Sequence, residues 1–414
     1  MKRVAIVGTG IAGLSCAYTL APYVDLSIYE KNDYVGGHTN TVMVEEEGKL
    51  IPIDTGFMVY NETTYPQLTA LFQTLKVPTE PTCMSFSVQH TPSQLEFSGN
   101  GWNGLFAQRK NLYQIAHWKL LFNIHRFNTH CEEILSDPLL QKLTLQEYCR
   151  LRNYSEDFQK RYLIPMASAV WSSCEKSILD FPALSLVRFF SQHRFLSLKG
   201  QFTWRTVTGG SRVYRDLLTQ SFEKKIQISR AIASVRYEDP WVYVKDQRGT
   251  EEKFNAVVIA THADEALALL NTPTLLQKKL LSVFHYQKNE VWLHRDERVM
   301  PKNRRTWSSW NYKTDGSSST TIYWMNRLQK VSQKKNYFIS INGPEIDPKW
   351  VVKKFIYEHP LMTLQSSDAQ NELPKLNEKG PVFFCGSYFK YGFHEDALQS
   401  GLDAATHVRQ VLCA

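Results

Sequence analysis

The stretch VGTGIAGLS near the start of the chain limits the possible folds more than any other feature. It places Gly8, Gly10 and Gly13 in a G-x-G-x-x-G pattern directly after the short apolar run KRVAIV. In this pattern the first glycine permits a tight turn, the second lets a pyrophosphate approach the backbone, and the third lets a helix pack against a strand. The stretch therefore predicts a strand, a glycine turn and a helix that together bind a dinucleotide.

The residues that follow complete the same pattern. A second apolar run ends at Tyr29, and Glu30 lies 22 positions after Gly8, where a ribose-binding carboxylate belongs. The N-terminus of the intervening helix offers free N–H groups and a partial positive charge to phosphates. Gly36 and Gly37 then allow a second close approach of the backbone to the cofactor. The basic, apolar start also resembles a secretory signal, but the glycine spacing favours a buried strand and helix.

A second G-x-G-x-x-G pattern occurs at Gly99, Gly101 and Gly104, within EFSGNGWNGLF. Its context differs, because the preceding run QLEF is short and polar, and the chain near Phe122 still shows helical periodicity rather than a strand that ends in an acid. We interpret this stretch as a flexible turn into the helical part of a second, substrate-binding half. Only one dinucleotide is therefore predicted, with no dedicated NAD(P)H domain.

Length and composition restrict the remaining classes of protein to which the chain could belong. The chain of 414 residues is long enough for about two or three domain-sized units. Its seven cysteines include no C-x-x-C pair, so neither a disulfide framework nor a zinc site is expected and we predict no metal. A reducing cytoplasm is the simplest compartment. No other apolar run reaches the length of about 18 residues that a transmembrane helix needs.

Positive charge is concentrated in one part of the chain. Residues 276–335 contain thirteen Lys or Arg and four Asp or Glu, in a protein of net charge +8. One interpretation is a solvated basic face. The other is attraction to an anionic surface or substrate such as phospholipid headgroups. No nucleic-acid-binding motif accompanies the charge, so nucleic acid is not predicted as a partner.

Residues 111–135 show a helical stripe, and its apolar members recur every three or four positions: Tyr113, Ala116, Leu120, Ile124, Phe127, Cys131 and Ile134. Packing in a core is the default interpretation. Interfacial contact with a membrane stays open, because apolar and basic residues also occur together here: Trp118, Leu121, Phe122, Lys110, Lys119 and Arg126.

The end of the chain contains an apolar strand, residues 382–385, which stops at Gly386 and is followed by a helical pattern from about His394. With the first fingerprint and the glycine pair, this segment resembles the flavoprotein superfamily of monoamine oxidases, protoporphyrinogen oxidases and phytoene desaturases. Those proteins typically carry Arg where Tyr34 and His38 stand here. The stretches DTGFMVYN, WSSWNY, YWMNRLQ and YGFHEDALQSG resemble a narrower group, bacterial predicted NAD/FAD-binding proteins similar to the N-terminal part of plant cyclopropane-fatty-acid synthases.

This resemblance implies an α/β fold like that of amine oxidases, with a discontinuous Rossmann-like FAD-binding domain and a mixed α+β substrate domain. We assign residues 1–75, 205–265 and 378–414 to the first domain. Residues 76–204 and 266–377 form the second. The implied FAD-binding residues are Gly8, Gly10, Ala12, Gly13, Glu30, Lys31, Gly36, Gly37, His38, Thr55, Gly56, Val235, Gly386, His394, Glu395 and Ala397.

The same resemblance assigns roles within the site. The backbone near Val235 would contact the adenine, and the backbone around His394 and Glu395 would point a helix N-terminus at the flavin. His394 and Tyr391 are the candidate catalytic residues, although the His394 ring could instead only pack or cap the helix. Strands rich in Trp and Tyr are expected to wall the substrate pocket, and alternation along a strand turns roughly half of such residues away. The candidates are Tyr60, Trp310, Tyr312, Tyr323 and Trp324.

Three functions follow as expectations. The preferred one is an FAD-dependent oxidase or desaturase that takes a hydride from a C–H of a hydrophobic, fatty-acyl lipid to flavin N5. The alternatives are a flavin amine oxidase with an aromatic cage that includes Tyr391 and Phe393, and an FAD-binding scaffold for a lipid methyltransferase. The expected location is the cytoplasm, either free or peripheral on the inner face of the membrane in contact with anionic lipid.

Overall fold

The computed structural model describes residues 1–173, 175–197 and 200–413. Its strands are β1 Arg3–Val7, β2 Asp25–Tyr29, β3 Thr41–Glu46, β4 Lys49–Asp54, β5 Tyr60–Asn61, β6 Thr79–Pro81, β7 Phe86–His90, β8 Leu95–Ser98, β9 Trp204–Val207, β10 Ile226–Gln227, β11 Ile232–Glu238, β12 Trp241–Asp246, β13 Glu251–Phe254, β14 Ala256–Ile259, β15 His285–His294, β16 Trp310–Thr314, β17 Ser319–Trp324, β18 Phe338–Ile341, β19 Val351–Leu361 and β20 Val382–Phe384.

The α-helices of the same residues are α1 Ile11–Leu20, α2 Pro66–Leu75, α3 Gly101–Leu105, α4 Ile115–His130, α5 Leu145–Leu151, α6 Glu156–Phe158, α7 Ile164–Trp171, α8 Glu175–Leu179, α9 Ala183–Gln192, α10 Arg212–Thr219, α11 Ala263–Leu269, α12 Leu275–Leu281, α13 Met325–Leu328, α14 Leu364–Gln370 and α15 His394–Cys413. Among the described helices, none combines the length and apolar character that crossing a bilayer would require.

A parallel five-stranded sheet in the order β10-β2-β1-β14-β20 forms the nucleotide-binding domain. Its central strands are apolar on both faces because helices cover one side and the β11–β13 meander, α11 and α12 cover the other. The terminal helix α15 packs closely on α1, and a side chain at Gly401 would come within 2.2 Å of the Ala12 carbonyl oxygen. The predicted strand, turn, helix and strand at the N-terminus are confirmed.

The second domain is built on a seven-stranded sheet in the order β19-β15-β18-β17-β16-β7-β8. The β16–β7 pair is parallel and the other pairs are antiparallel. Helices α4 to α9 form an aromatic-rich core on one end of this sheet, with Phe127, Phe158 and Phe190 fully buried. This arrangement confirms the predicted fold class, a Rossmann-like domain with a mixed α+β partner.

The two domains are joined through a small sheet and a buried carboxylate. β9 pairs with both β5 and β6, so the predicted boundary at residue 75 falls between strands of one sheet. Asp54, at the end of β4, accepts hydrogen bonds from the Ser211 N–H at 2.9 Å and from the Gln329 amide. Burial raises the pKa of Asp54, and these donors oppose that shift. Asp54 thereby links segments that lie 157 and 275 positions away.

The second glycine triplet lies in the substrate domain. Its preceding run is β8, an edge strand that pairs antiparallel with β7, so it cannot supply the central parallel strand of a nucleotide site. The triplet opens the short helix α3, which is a defined element and not the flexible turn we predicted. Gly104 is required for packing, because a Cβ there would lie 2.3 Å from the Ser98 hydroxyl oxygen.

The predicted stripe along residues 111–135 is only partly correct. Leu120, Phe127, Cys131 and Ile134 are buried in the helical core. Tyr113 is 89 % exposed, because a separate 3-10 turn precedes α4 and changes the direction of the chain before the helix begins at Ile115.

Candidate FAD and substrate site

A cavity of about 920 Å³ opens where the carboxyl ends of β1, β2, β14 and β20 meet the substrate domain. This edge is where ligands of parallel α/β sheets bind. Its nucleotide half is lined mainly by residues 7–12, 29–38, 230–232 and 260–265. Its substrate half is lined by residues 57–59, 170–172 and 391–394, with the separate side chains Tyr65, Met84, Phe189, Phe195, Trp204, Trp310 and Tyr323.

The first glycine triplet has the geometry of a phosphate-binding turn. Gly8 has a φ of +106°, and a Cβ there would lie 2.6 Å from the Ala260 carbonyl oxygen. Gly13 lies against the same turn, where a Cβ would come within 2.0 Å of the Gly8 oxygen. Around Gly10, by contrast, no described atom lies within 4 Å of the Cβ position. That open space, at the N-terminus of α1, leaves room for a pyrophosphate.

The acid at the end of β2 faces this turn. Glu30 is 5 % exposed and accepts hydrogen bonds from the Thr9 N–H at 3.0 Å and the Asn32 N–H at 2.9 Å. Lys31 forms a salt bridge with Glu265 at 2.5 Å, at the start of α11. The carboxylate is thus positioned where a ribose hydroxyl would meet it.

The glycine pair forms the opposite side of the channel. A Cβ at Gly37 would lie 3.3 Å from the Gly10 Cα, so the two glycine turns face each other across a narrow gap. His38 follows and packs against Tyr357 and His359, with ring centroids 4.9 and 5.3 Å away. Burial and the neighbouring histidines lower the pKa of His38 well below its usual value. Its ring is therefore neutral and contributes shape, not charge.

The N-terminus of α15 reaches the cavity and its first histidine is held firmly. His394 Nε2 lies 2.6 Å from the Tyr214 hydroxyl, which also bonds Thr39, and the His394 ring stacks on Phe57 at 3.9 Å. Burial lowers the pKa of His394 to about 3. A ring with this pKa is a poor proton acceptor near neutral pH. The geometry therefore favours a positioning role over that of a catalytic base.

The two acids that follow have structural partners. Glu395 accepts hydrogen bonds from the N–H groups of Gln67 and Leu68 at 2.7 and 3.0 Å, so its side chain caps α2. Asp396 is 8 % exposed and accepts the Phe393 N–H at 2.9 Å. Burial raises the pKa of Asp396 to about 7.

Most of the predicted FAD-binding residues line the cavity: Gly8, Gly10, Ala12, Glu30, Lys31, Gly36, Gly37, His38, Gly56, Gly386, His394 and Ala397. Gly13, Thr55, Val235 and Glu395 do not. Val235 is correctly placed in β11, but it pairs with Val244 and bridges to Leu270. Residues 230–232 at the start of that strand line the cavity, and contact of the adenine with the backbone near Val235 stays a prediction.

Thr55 and Gly56 support the site from behind. The Thr55 hydroxyl bonds the Tyr357 hydroxyl at 2.7 Å. A Cβ at Gly56 would lie 2.2 Å from the His38 carbonyl oxygen. At the other end, the Tyr388 ring packs against Gly386 and is buried, so Gly386 and Ser387 of this turn line the cavity and Tyr388 does not.

The substrate half is aromatic and uncharged. The residues named above for the substrate half carry no side-chain charge, because His394 is neutral; the charged side chains that line the rest of the cavity are Glu30, Lys31, Arg230, Glu265, Lys288 and Glu358. The Trp171 indole N–H donates to the Tyr391 carbonyl at 3.3 Å, and Phe393 stacks on Phe189 at 4.5 Å. These contacts fix the loop before α15 against α7 and α9. Tyr391 lines the cavity beside this loop.

Trp310 and Tyr323 line the substrate half and are cross-strand partners on β16 and β17. The other three candidates do not line it. Tyr312 shares a face with Trp310 but lies further along the strand, where its hydroxyl donates to Glu175 at 3.0 Å. Trp324 falls on the opposite face and packs on Trp307. Tyr60 is buried against Phe72 in the nucleotide-domain core.

Several lining residues were missed by the sequence reasoning. Val170, Trp171 and Phe189 come from helices α7 and α9, whose apolar patterns carry no signal that distinguishes a cavity wall from core. His262, Glu265 and Glu358 also meet at the cavity, with potential ligand atoms within 4.8 Å of one another. Lys31 and Lys288 pair with the two carboxylates at 2.5 and 3.8 Å. Their charge is thus already compensated, and the absence of a metal stays a prediction.

The open turn at Gly10, the facing glycine pair and the helix N-terminus at the far end of one continuous cavity fit FAD, a dinucleotide with a flavin at one end. A model of the family described as flavin containing amine oxidoreductase matches residues 11–409. The chain belongs to this family of FAD-dependent oxidoreductases, and the predicted superfamily and cofactor are confirmed. No curated protein matches the sequence.

Solved structures show the same fold. Putrescine oxidase bound to putrescine is 13 % identical, with a TM-score of 0.69 and 99 % of each chain covered. Cyclohexylamine oxidase from Brevibacterium oxydans is 15 % identical, with a TM-score of 0.69 and full coverage of both chains. A CLA-producing fatty acid isomerase from P. acnes is 12 % identical, with a TM-score of 0.68 and 98 % of each chain covered. At these identities the likeness establishes the fold alone.

Proposed function

We propose that this oxidoreductase removes a hydride from a C–H of a hydrophobic, fatty-acyl substrate held in the substrate half of the cavity. Bound FAD would supply the two-electron acceptor for the hydride at N5, the neighbouring carbon would release a proton to solvent as the C=C bond forms, and oxygen or another acceptor would reoxidise the flavin. The uncharged aromatic lining is the observation that carries the proposal. An acyl chain gains free energy on entering such a surface, whereas an ammonium ion or a free carboxylate would lose its hydration without a partner.

The chain's own residues have three tasks in this proposal. The glycine turns and Glu30 hold the pyrophosphate and ribose. The N-terminus of α15 provides N–H dipoles that stabilise negative charge on a reduced flavin. The contacts of Trp171 with Tyr391, and of Phe189 with Phe393, exclude water from the reacting C–H and fix the acyl chain beside it. His394 positions its neighbours as a neutral ring, and Tyr391 stays a candidate for substrate contact.

Oxidation of an amine is the second candidate. The printed names of two similar structures, a putrescine oxidase and a cyclohexylamine oxidase, favour it. The aromatic residues Tyr391 and Phe393 suit a cage for a neutral amine. Against it, the described part of the substrate half offers no carboxylate to attract the cationic form. The name of a third similar structure, a fatty acid isomerase, favours a fatty-acyl substrate. The scaffold role with a methyltransferase partner stays a prediction from the sequence.

Anaerobic reduction of the flavin tests the proposal. Holoenzyme would be mixed with methyl-branched or unsaturated acyl phospholipids and, separately, with aliphatic mono- and diamines, while the oxidised flavin absorbance is followed. We expect bleaching by an acyl lipid, with a dehydrogenated acyl product found by mass spectrometry. Bleaching by amines without any response to acyl lipids would overturn the acyl proposal in favour of the second candidate.

A further inference from the structure

A cluster of large apolar side chains is exposed on the surface of the substrate domain, away from the cavity lining. We name it the α4 patch, and its members are between 41 % and 89 % exposed: Trp102, Leu112, Tyr113, Ile115, Trp118 and Phe122. Soluble surfaces rarely group this many large apolar residues unless the surface contacts something. We propose that the α4 patch docks the protein on an anionic phospholipid bilayer.

The patch is contiguous and its geometry is fixed. Ile115, Trp118 and Phe122 follow one another at i, i+3 and i+7 and therefore share one face of α4. Trp102 stacks on Phe106 with centroids 5.5 Å apart, and Phe106 packs on Trp118 at 5.1 Å. Trp102 and Trp118 are thus both held by the buried Phe106 ring, and docking would not require these two side chains to be ordered first.

Trp118 also connects the helix to the turn before it. Its indole N–H donates to the Leu112 carbonyl at 2.9 Å, which keeps Leu112 and Tyr113 beside the helical face. The opposite face of α4 buries Leu120 and Phe127 in the helical core. The helix is therefore apolar on both sides, and only one side is covered by the described chain.

Basic residues from two distant segments surround the patch. Arg109, Lys110 and Lys119 are exposed within it, and no Asp or Glu occurs between Glu96 and Glu132. The segment that contains Lys302 and Arg305 is packed against α3 and β8 by tertiary contacts, and its Arg304 is paired with Glu297 at 3.0 Å. The buried Glu96 carboxylate accepts the Lys302 N–H at 3.0 Å, and the Asn303 amide donates to the Ala107 carbonyl at 2.9 Å.

This combination fits a bilayer better than a protein surface. Trp and Tyr prefer the headgroup level of a membrane, and each nearby Lys or Arg is attracted to anionic lipid. A second copy of this chain would place the same positive charges face to face, which opposes self-association through the patch. The core behind α4 also contains Trp171 and Phe189, which line the cavity. Docking would therefore hold the substrate half close to the lipid.

Vesicle sedimentation tests the docking independently of the chemistry, because binding needs no turnover. FAD-loaded protein would be mixed with vesicles of phosphatidylglycerol and phosphatidylcholine or of phosphatidylcholine alone. We expect binding to the anionic vesicles that weakens with added salt. The double variant Ile115→Gln with Phe122→Gln is expected to bind about tenfold more weakly. Removing Lys110 and Arg305 as Lys110→Gln with Arg305→Gln should cost about fivefold per charge.

Matched controls replace exposed apolar and basic side chains elsewhere on the surface. Leu50 and Leu275 are 65 % and 88 % exposed, and Leu50→Gln with Leu275→Gln should leave binding unchanged. Lys49→Gln with Lys224→Gln is the charge control. Equal binding by the patch variants and wild type, or equal binding to neutral and anionic vesicles, would overturn the proposal. So would a dimer in solution that the Ile115 and Phe122 variant dissociates, since the patch would then be a contact between copies.

Discussion

The two halves of the cavity are built in opposite ways. The nucleotide half consists of backbone turns, a buried carboxylate and helix N-termini, and its geometry depends on residues close in sequence such as Gly8, Gly10 and Glu30. The substrate half consists of large uncharged side chains contributed by distant segments, with Trp171, Phe189 and Trp310 as examples. The first half recognises charge and shape through the backbone, whereas the second excludes water. A family can therefore keep one cofactor while its substrates change.

The largest effect is expected from Gly10→Ala, which disrupts cofactor binding in the nucleotide half and leaves the substrate half unchanged. In Gly10→Ala the new methyl group meets no described atom within 4 Å, so the fold should persist while the pyrophosphate loses its approach. We expect the affinity for FAD to fall about a hundredfold or more, because close backbone contact with the phosphates is lost. The measurement is flavin content and a titration of the apoprotein.

Gly99→Ala is the matched control from the second glycine triplet. Its Cβ would lie 4.0 Å from the nearest described atom, the Phe86 carbonyl oxygen, so this variant should also fold. It should bind FAD like the wild type. Equal loss of FAD in both variants would mean that the two triplets do not differ as we infer.

The next effect tests the substrate half. Val170 lines the cavity and is only partly buried, so a substitution there should be tolerated by the fold. Val170→Asp places a carboxylate among uncharged side chains and should slow flavin reduction by an acyl substrate about tenfold or more. Val170→Asn, of the same size but uncharged, should have a smaller effect. If Asp and Asn act alike, the absence of charge in this half is not what selects the substrate.

A smaller effect is expected from a variant that tests the role of His394, which lies between the nucleotide half and the substrate half of the cavity. Tyr214→Phe removes the hydroxyl that bonds both His394 and Thr39. We expect a loss of about 1–2 kcal/mol in the free energy of unfolding, because two buried polar groups lose a partner. The rate of flavin reduction should keep its dependence on pH, measured by stopped flow. A new pH dependence near neutrality would instead indicate that His394 takes part in proton transfer.

The smallest effect on activity is expected at Asp396, whose pKa is raised from 3.8 to about 7 by burial beside the loop of the substrate half and whose titration changes stability instead. Because the folded state then binds more protons than the unfolded state between these two values, stability falls as pH rises from about 4 to 7. The N-terminal turn of α15 partly compensates the anion.

Asp396→Asn removes this titration and keeps an oxygen acceptor for the Phe393 N–H. We expect wild type to lose about 2–3 kcal/mol more stability than the variant between about pH 5 and pH 8. Chemical denaturation at both pH values measures the difference. Parallel pH dependence in the two proteins would show that the Asp396 carboxyl is ionised in the fold throughout this range.

Sequence patterns located the nucleotide half because its parts are local. β1, the glycine turn, α1 and β2 follow one another without interruption, and each has its own periodicity and terminal residue. The start of α15 at His394 was found for the same reason. The strand that contains Val235 was also predicted correctly, but the residues of this segment that line the cavity are Arg230, Ala231 and Ile232, three to five positions earlier.

Local sequence patterns did not predict which of the aromatic residues on β16 line the cavity. Alternation placed Trp310 and Tyr312 on one face of β16, yet only Trp310 lies at the cavity, because α8 and its Glu175 cover the next position. The basic residues of segment 276–335 were also treated as one surface in the sequence prediction, but in the fold they lie on separate helices, strands and turns. Lys302 and Arg305 come to lie beside the α4 patch only because the buried Glu96 carboxylate binds the backbone of residues 302 and 303.

By itself the sequence determined that this protein binds a dinucleotide on a Rossmann-like sheet, since a short run of glycines, one acid and two apolar strands is enough to specify that turn. Its resemblance to the flavoprotein superfamily then indicated FAD. Only the tertiary structure decided what faces the flavin end of the cavity. Helices α7 and α9, strands β16 and β17 and the loop before α15 meet there through packing between residues that are far apart in the chain. An apolar residue in a helix has the same local pattern whether its side chain fills a core or lines a cavity.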